Sequence, residues 1–231
     1  MEKKHKKLKI PISKYKDKLK WSALRKAQYI FYKEHIVKIS SGGRLLDVGS
    51  GAHQFEDLYK DLNKTSIDFA PYEGTDVIHD IETGLPFEDD TYDVVTIANT
   101  LEHIYQPQKL LKECYRVTRK GGIIIGATPF QLMVHQEPFD YFRYTNFALS
   151  KLLVDAGYSD VEIVATGTPI DVLFQTTNHF FSTLEKEKKS YFVRIFWKVH
   201  AILLILIKLV FGNLNPSLKY TLGYGFIAKK L

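Results

Sequence analysis

"RLLDVGSGAHQF", Arg44–Phe55, is the stretch that decides the fold. Leu45, Leu46 and Val48 form a short apolar run without polar alternation. A strand covered on both faces, as in a parallel sheet, has that character. Gly49 and Gly51 then stand where the strand ends and a helix is expected, over about Gln54 to Leu62. Glycine permits the tight turn and lets a ligand come close to the backbone. The amino end of the following helix would add free amide groups. A lone pair of glycines also occurs in turns that bind nothing, so the surrounding spacing has to carry the reading.

Working outward, the same kind of apolar run recurs. "TSIDF" (Thr65–Phe69), "TDVIH" (Thr75–His79), "YDVVTIAN" (Tyr92–Asn99), "GGIIIGATP" (Gly121–Pro129), "VEIVATG" (Val161–Gly167) and "YTLGYGFIAKK" (Tyr220–Lys230) all read as strands. Helical periods lie between several of them. Residues 18–39 place Leu19, Ala23, Ala27, Ile30, Phe31 and Ile36 roughly on one side. Pro107–Thr118 begins with a first-turn proline, and "NFALSKLLVDAG" runs from a capping Thr145 to a terminating Gly157. Strands alternating with helices predict an open α/β sheet.

In such sheets ligands bind beyond the carboxyl ends of the strands. Four strand ends deliver polar groups there: Asp47, Asp68, Asp80 and Asn99. Asp68 follows Gly49 by 19 residues, the spacing at which a carboxylate accepts both hydroxyls of a ribose.

The run from "LLDVGSGAHQF" through "SIDF", "DVIHDIETGLPFEDDTYDVVTIANTLEHI" and "LLKECYRVTRKGGIIIGATPF" resembles the class I S-adenosylmethionine-dependent methyltransferases. The resemblance covers about Arg44 to Gly167, and "TLGYGFIAKK" resembles their last strand. Within the class it is similar to a subset associated with bacterial surface-glycan loci, whose loop after strand five reads like "HQEPFDYFRYT" (His135–Thr145).

The resemblance implies a Rossmann-like, seven-stranded, mostly parallel sheet with helices on both faces and an antiparallel last strand. It also implies a cofactor site. Asp47, Gly49, Ser50 and Gly51 would surround the methionine part of S-adenosylmethionine, Asp68 the ribose, and Asp80 with the Ile81 backbone the adenine. Asn99 would approach the methionine end. The chain departs from the pattern at His53, where a third glycine is common; that histidine is expected to face solvent or to narrow the mouth of the site. A dinucleotide, the alternative cofactor, is disfavoured by the missing glycine and by the resemblance.

Methyl transfer to a hydroxyl needs a proton acceptor, and histidine suits that near neutral pH. His135 and His103 are the candidates. His103, in "NTLEHI", has a plainer reading in which it and Glu102 satisfy backbone groups at a helix start. Glu137, Asp140, Tyr141, Arg143 and Tyr144 are the acceptor-site candidates, and an Asp140–Arg143 ion pair that merely pins the loop is the bland alternative. No metal is expected, and one cysteine, Cys114, excludes an internal disulfide and suits a reducing cytoplasm.

Charge is uneven. Residues 1–20 hold nine Lys against two acids, residues 185–231 nine Lys/Arg against two, and the stretch between them nets −8 within an overall +6. A basic arm (1–20) thus precedes a methyltransferase domain (21–231), which carries a helical apolar insertion (185–218) before its last strand. The acidic body opposes a phosphate-binding groove, so RNA methylation is the weaker alternative. The intact acid-and-glycine set speaks against a non-catalytic cofactor-binding module.

The start lacks the apolar run of a secretory signal. "YFVRIFWKVHAILLILIKLVF" (191–211) is long enough to span a bilayer. At 100° per residue from Arg194, however, Lys198 falls at 40° and Lys208 at 320°, so the cations share one arc. That arrangement predicts an interfacial helix on an anionic membrane surface; packing on the domain, a dimer contact and a true span are the other readings. A cytoplasmic protein, peripheral at the inner membrane face and acting on a small-molecule or lipid-linked glycan acceptor, is the resulting expectation. The oligomeric state stays open.

Overall fold

The computed structural model describes residues 21–188, 191–211 and 215–231. The basic arm, together with Leu19, lies outside the described residues.

The apolar runs pair as expected. Strands β1 (Arg44–Val48), β2 (Asn63–Asp68), β3 (Val77–Ile78), β4 (Tyr92–Ala98), β5 (Thr118–Pro129), β6 (Ser159–Thr166) and β7 (Gly223–Lys229) form one sheet in the order β3-β2-β1-β4-β5-β7-β6. Only β7 runs against its neighbours, pairing antiparallel with both β5 and β6. The order reverses between β1 and β4, so the ends of those two strands open the crevice where such sheets take ligands.

Alternation along β1 sends Leu46 and Val48 to one face and Leu45 to the other. The first face is covered by α2 (Pro107–Val117) and α3 (Asn146–Ala156), through Leu110, Leu111, Leu149 and Leu153. Thr145 caps α3 by accepting from the Ala148 N–H at 3.2 Å, and Gly157 ends it at φ 113°.

The second face is covered by α1 (Ala23–Ile36). Its buried stripe is Leu24, Gln28, Phe31, Tyr32 and Ile36, and Ile30 is exposed, so the helix is rotated from the orientation expected through Ala23, Ala27 and Ile30. Aromatic burial explains the rotation: Tyr32 stacks on Phe55 at 4.8 Å, a larger apolar payload than two alanines supply.

The helix expected from Gln54 to Leu62 does not form. A three-residue 3-10 turn, Glu56–Leu58, takes its place. His53 at φ 53° turns the chain out of the helical path, and no side chain caps the turn at Phe55. The amide-bearing helix start expected beside the glycines is therefore absent.

Between β6 and β7 two helices stand side by side, α4 (Pro169–Lys188) and α5 (Tyr191–Phe211). The helical stretch thus begins at Pro169, before the boundary at 185 read from composition. Among the described side chains of α5 Leu204 is the buried one, while Trp197 Nε1 donates to Asn178 Oδ1 at 2.8 Å and His200 lies against Phe181 at 5.3 Å. Ile195, Phe196, Val199, Ile202, Leu203 and Leu206 are all exposed, with Lys198 and a Glu185-paired Arg194 along one border. No helix among the described residues is long and apolar enough to cross a membrane.

Candidate active site

The first half of the site is the turn after β1. Gly49 and Ser50 donate their N–H groups to the Ile67 carbonyl at 2.9 and 3.2 Å, which ties the turn to the end of β2. Gly49 sits at φ 70°, and a Cβ there would strike the Thr100 side chain. Gly51, at φ 49°, donates to Asp68 Oδ2 at 2.9 Å, and Ala70 donates to Asp68 Oδ1 at 2.9 Å. Asp68 therefore holds the turn together, and each of its oxygens keeps a further lone pair for a ligand. Asp80 follows β3 with its carboxylate capping the Glu82 N–H at 3.0 Å, and the Ile81 side chain is buried beside it in sequence.

Asp47 lies on the α1 side of β1. Burial, and then the neighbouring Asp68 against the opposing pull of Lys64, pushes its carboxyl from 3.8 to about 7. The Ser50 hydroxyl and both ring nitrogens of His53 are buried without a hydrogen-bond partner among the described residues. His53 is buried, so of the two expectations for it the solvent-facing one does not hold. A buried carboxyl short of a cation and an orphaned hydroxyl fit the ammonium and polar groups of a methionine moiety.

The sign of the Asp47 shift sets a pH dependence. Between pH 4 and 7 the folded chain retains a proton that the unfolded chain has lost, so Asp47 lowers stability as pH rises through that window. A cationic ligand favours the ionised form and expels the proton. Affinity for S-adenosylmethionine is therefore expected to weaken by up to about tenfold per pH unit below 7. Calorimetry across pH 5.5–8 checks this; an unchanged pH dependence in Asp47→Asn would sink the assignment.

Asn99, at φ 51°, ends β4 opposite this turn. Its amide makes a reciprocal pair with Gln28 on α1: Gln28 Nε2 donates to Oδ1 at 2.7 Å, and Asn99 Nδ2 donates back at 3.0 Å. Gln28 was missed by sequence reasoning. The signal was a glutamine four residues after Leu24 and four before Tyr32, on the stripe that α1 buries.

The second half is built by the loop after β5. Tyr141 and Phe142 donate their N–H groups to the Glu102 carbonyl at 2.8 and 3.2 Å, which docks the loop on the 3-10 turn Leu101–His103. Arg143 is fully engaged. It donates to both oxygens of Asp140 at 2.6 and 2.8 Å and to the carbonyls of Leu132, Met133 and Phe142. The guanidinium holds the Asp140 carboxyl well below the usual carboxylate range. Tyr144 is buried, its hydroxyl donating to the Leu101 carbonyl at 3.0 Å. These three pin the loop. Glu137 and Tyr141 are exposed, and Tyr141 packs edge-on against Tyr105.

The pinned loop brings His135 to His103, ring centroids 4.9 Å apart. Glu102 joins them fully buried, with neither carboxylate oxygen hydrogen-bonded among the described residues. The plainer reading, in which the two residues satisfy backbone groups, is met in part: His103 Nδ1 sits on the Phe139 carbonyl at 2.8 Å, and the Glu102 carboxyl feels its own backbone N–H. Burial pushes its carboxyl up to about 8, with its own backbone N–H and then Arg143 pulling the other way. Burial also lowers the His103 imidazole.

A sheet of this order has the Rossmann-like fold found in S-adenosylmethionine-dependent methyltransferases. Residues 46–126 match the family model described as a methyltransferase domain. A demethylmenaquinone methyltransferase of Renibacterium salmoninarum is 34% identical over 97 residues, 37% of this chain and 41% of that protein. The chain spans about half the length, or less, of the first curated relatives it matches. A methyltransferase structure from Thermotoga maritima superimposes with a TM-score of 0.58 at 16% identity, over 95% of this chain and 96% of that one. One from Archaeoglobus fulgidus gives 0.57 at 17%, over 89% and 94%. At such identities the structural likeness speaks for the fold alone.

Proposed function

We propose that the chain transfers a methyl group from S-adenosylmethionine to a hydroxyl of a small-molecule acceptor, a glycan or lipid-linked glycan. The observation that carries this reading is the convergence of Glu102, His103 and His135 beyond the end of β4. When bound, the cofactor supplies a methyl on a sulfonium, which a nucleophilic oxygen takes by in-line displacement.

The residues of the chain do the rest. Asp47, Gly49, Ser50, Gly51 and Asn99 hold the methionine end, Asp68 the ribose, and Asp80 with the Ile81 backbone the adenine. The histidine pair activates the acceptor hydroxyl. Acting alone, His135 does so as a base, its Nε2 taking the hydroxyl proton while Asp140 steadies Nδ1 at 3.1 Å. His103 is the second candidate for the same role. Glu137 and Tyr141, exposed at the rim, are the groups left to touch a polar acceptor, since Asp140, Arg143 and Tyr144 are spent on holding the loop.

The relatives named for demethylmenaquinone support a small-molecule acceptor. The uncovered apolar face of α5, bordered by Arg194 and Lys198, supports an anionic membrane surface as the place of work, at the cytoplasmic side. Labelled cofactor tests both parts. With lipid extract presented in anionic vesicles, label is expected in the lipid fraction and the protein is expected to sediment with the vesicles at low salt. Label in water-soluble acceptors only would remove the membrane part; no incorporation into either fraction would remove the whole reading.

A further inference from the structure

Glu102, His103 and His135 each offer a ligand atom within 4.8 Å of the other two. Three features separate this cluster from an ordinary polar contact. The first is the Glu102 carboxyl, fully buried and answered by no hydrogen bond from another described residue, only by the pull of its own backbone N–H, with its Oε1 3.8 Å from His103 Nε2. Such a group is costly to bury unless something answers it.

The second is the tautomer of His103. Its Nδ1 lies 2.8 Å from the Phe139 carbonyl, which can only accept. The proton of the neutral ring is therefore on Nδ1, and Nε2, buried and unpartnered, presents a lone pair. The third is the matching arrangement at His135, whose Nδ1 lies 3.1 Å from Asp140 Oδ2. Asp140 is held as a carboxylate by Arg143, so it too accepts, and the His135 lone pair falls on Nε2. Arg143 Nη2, 3.4 Å from the same Nδ1, satisfies itself on Asp140 Oδ2 at 2.8 Å. One histidine backed by a carbonyl and one backed by a carboxylate, with both remote nitrogens free, is how metal-ligating imidazoles are oriented by their outer shell.

We propose that Glu102, His103 Nε2 and His135 Nε2 bind one divalent transition-metal ion, with zinc or cobalt(II) as the suitable probe. Two imidazoles and one carboxylate suit borderline divalent ions rather than calcium or magnesium. Small side-chain rotations draw the three atoms onto bonds of about 2.0–2.2 Å and leave a coordination position open. The binding claim stands on the cluster itself; only its consequence rests on the function proposed above. With the ion in place the two Nε2 atoms are ligands rather than bases. A hydroxyl on the open position would then ionise more readily, losing its proton to solvent.

The test reads the metal directly. Full-length, tag-free protein is stripped with chelator and titrated with zinc by calorimetry and with cobalt(II) by visible absorption. One equivalent is expected to bind. Glu102→Gln, His103→Ala and His135→Ala are each expected to weaken binding by at least about 100-fold, and Asp140→Asn by about 10–100-fold. His179→Ala, on α4, should bind as the parent does. Circular dichroism and cofactor affinity establish that each variant is folded. Absence of stoichiometric binding by the folded parent, or undiminished binding by the Glu102 and His135 variants, would overturn the site. A chain that binds the ion but methylates nothing defeats the proposed function and leaves the site standing; methyl transfer by the metal-stripped protein, with no ion bound on titration, does the reverse.

Discussion

Alanine at His135 is expected to cut turnover by about two to four orders of magnitude while cofactor affinity stays within about twofold. The separation follows from placement. His135 belongs to the loop after β5, and its contacts are to Asp140, Arg143 and the His103 ring, none of which touches the Gly49–Gly51 turn. Whether the imidazole acts as a base or as a ligand, its removal strikes the acceptor half alone. The backbone docking of Tyr141 and Phe142 on Glu102 does not involve the ring, so the loop should keep its position. Single-turnover kinetics beside calorimetry check both halves of the expectation. Loss of cofactor affinity, or turnover unaffected by the change, would show the assignment to be wrong.

The second large effect lies in the other half. Gly49→Ala is expected to destabilise the fold by about 2–4 kcal/mol, a sum of left-handed backbone strain and overpacking, and to abolish measurable cofactor binding. The added methyl would meet the Thr100 side chain in a turn already fixed by the Ile67 carbonyl. Gly51→Ala provides the contrast. It shares a positive φ but has only the Gly49 carbonyl at 4.0 Å nearby, so about 1 kcal/mol of backbone strain is expected. Urea denaturation of the two variants decides the matter. Equal losses would mean that crowding by Thr100 is not the cause, whereas partial recovery in Gly49→Ala/Thr100→Ala would confirm it.

The sheet was legible because its strands are apolar on both faces, a pattern local to each segment. The helix after Gly51 was misjudged for a reason that is not local. His53 takes a left-handed conformation, and the aromatic ring of Phe55 is claimed by Tyr32 on α1, a partner that no window around residue 55 contains. The rotation of α1 has the same origin. Within the site, the acidic strand ends could be read by spacing, since strand length and spacing dictate what reaches the carboxyl edge. The cluster around Glu102 could not. "LEH" and "HQEPFD" are separated by 31 residues, and the docking of the β5 loop on the Leu101–His103 turn brings their side chains together. For Asp140 and Arg143 the residue types allowed either an acceptor contact or an ion pair that pins the loop, and the ion pair forms at 2.6 Å.

Thr166 and Gly223 face each other in register where β6 ends and β7 begins, and Thr221 Oγ1 donates back to the Thr166 carbonyl at 2.9 Å. The chain thus leaves the sheet and returns to it at one point, with α4 and α5 as an excursion between. Loop-closure entropy grows only slowly with the length of such an excursion, so the sheet is nearly indifferent to what is carried there. What ties the pair down is the first turns of α4, where Val172 is buried with Leu24 and Leu222 and Gln175 donates to the Gln131 carbonyl at 2.9 Å. The far end of the excursion, with the exposed face of α5, is therefore the part whose sequence can vary at least cost to the sheet.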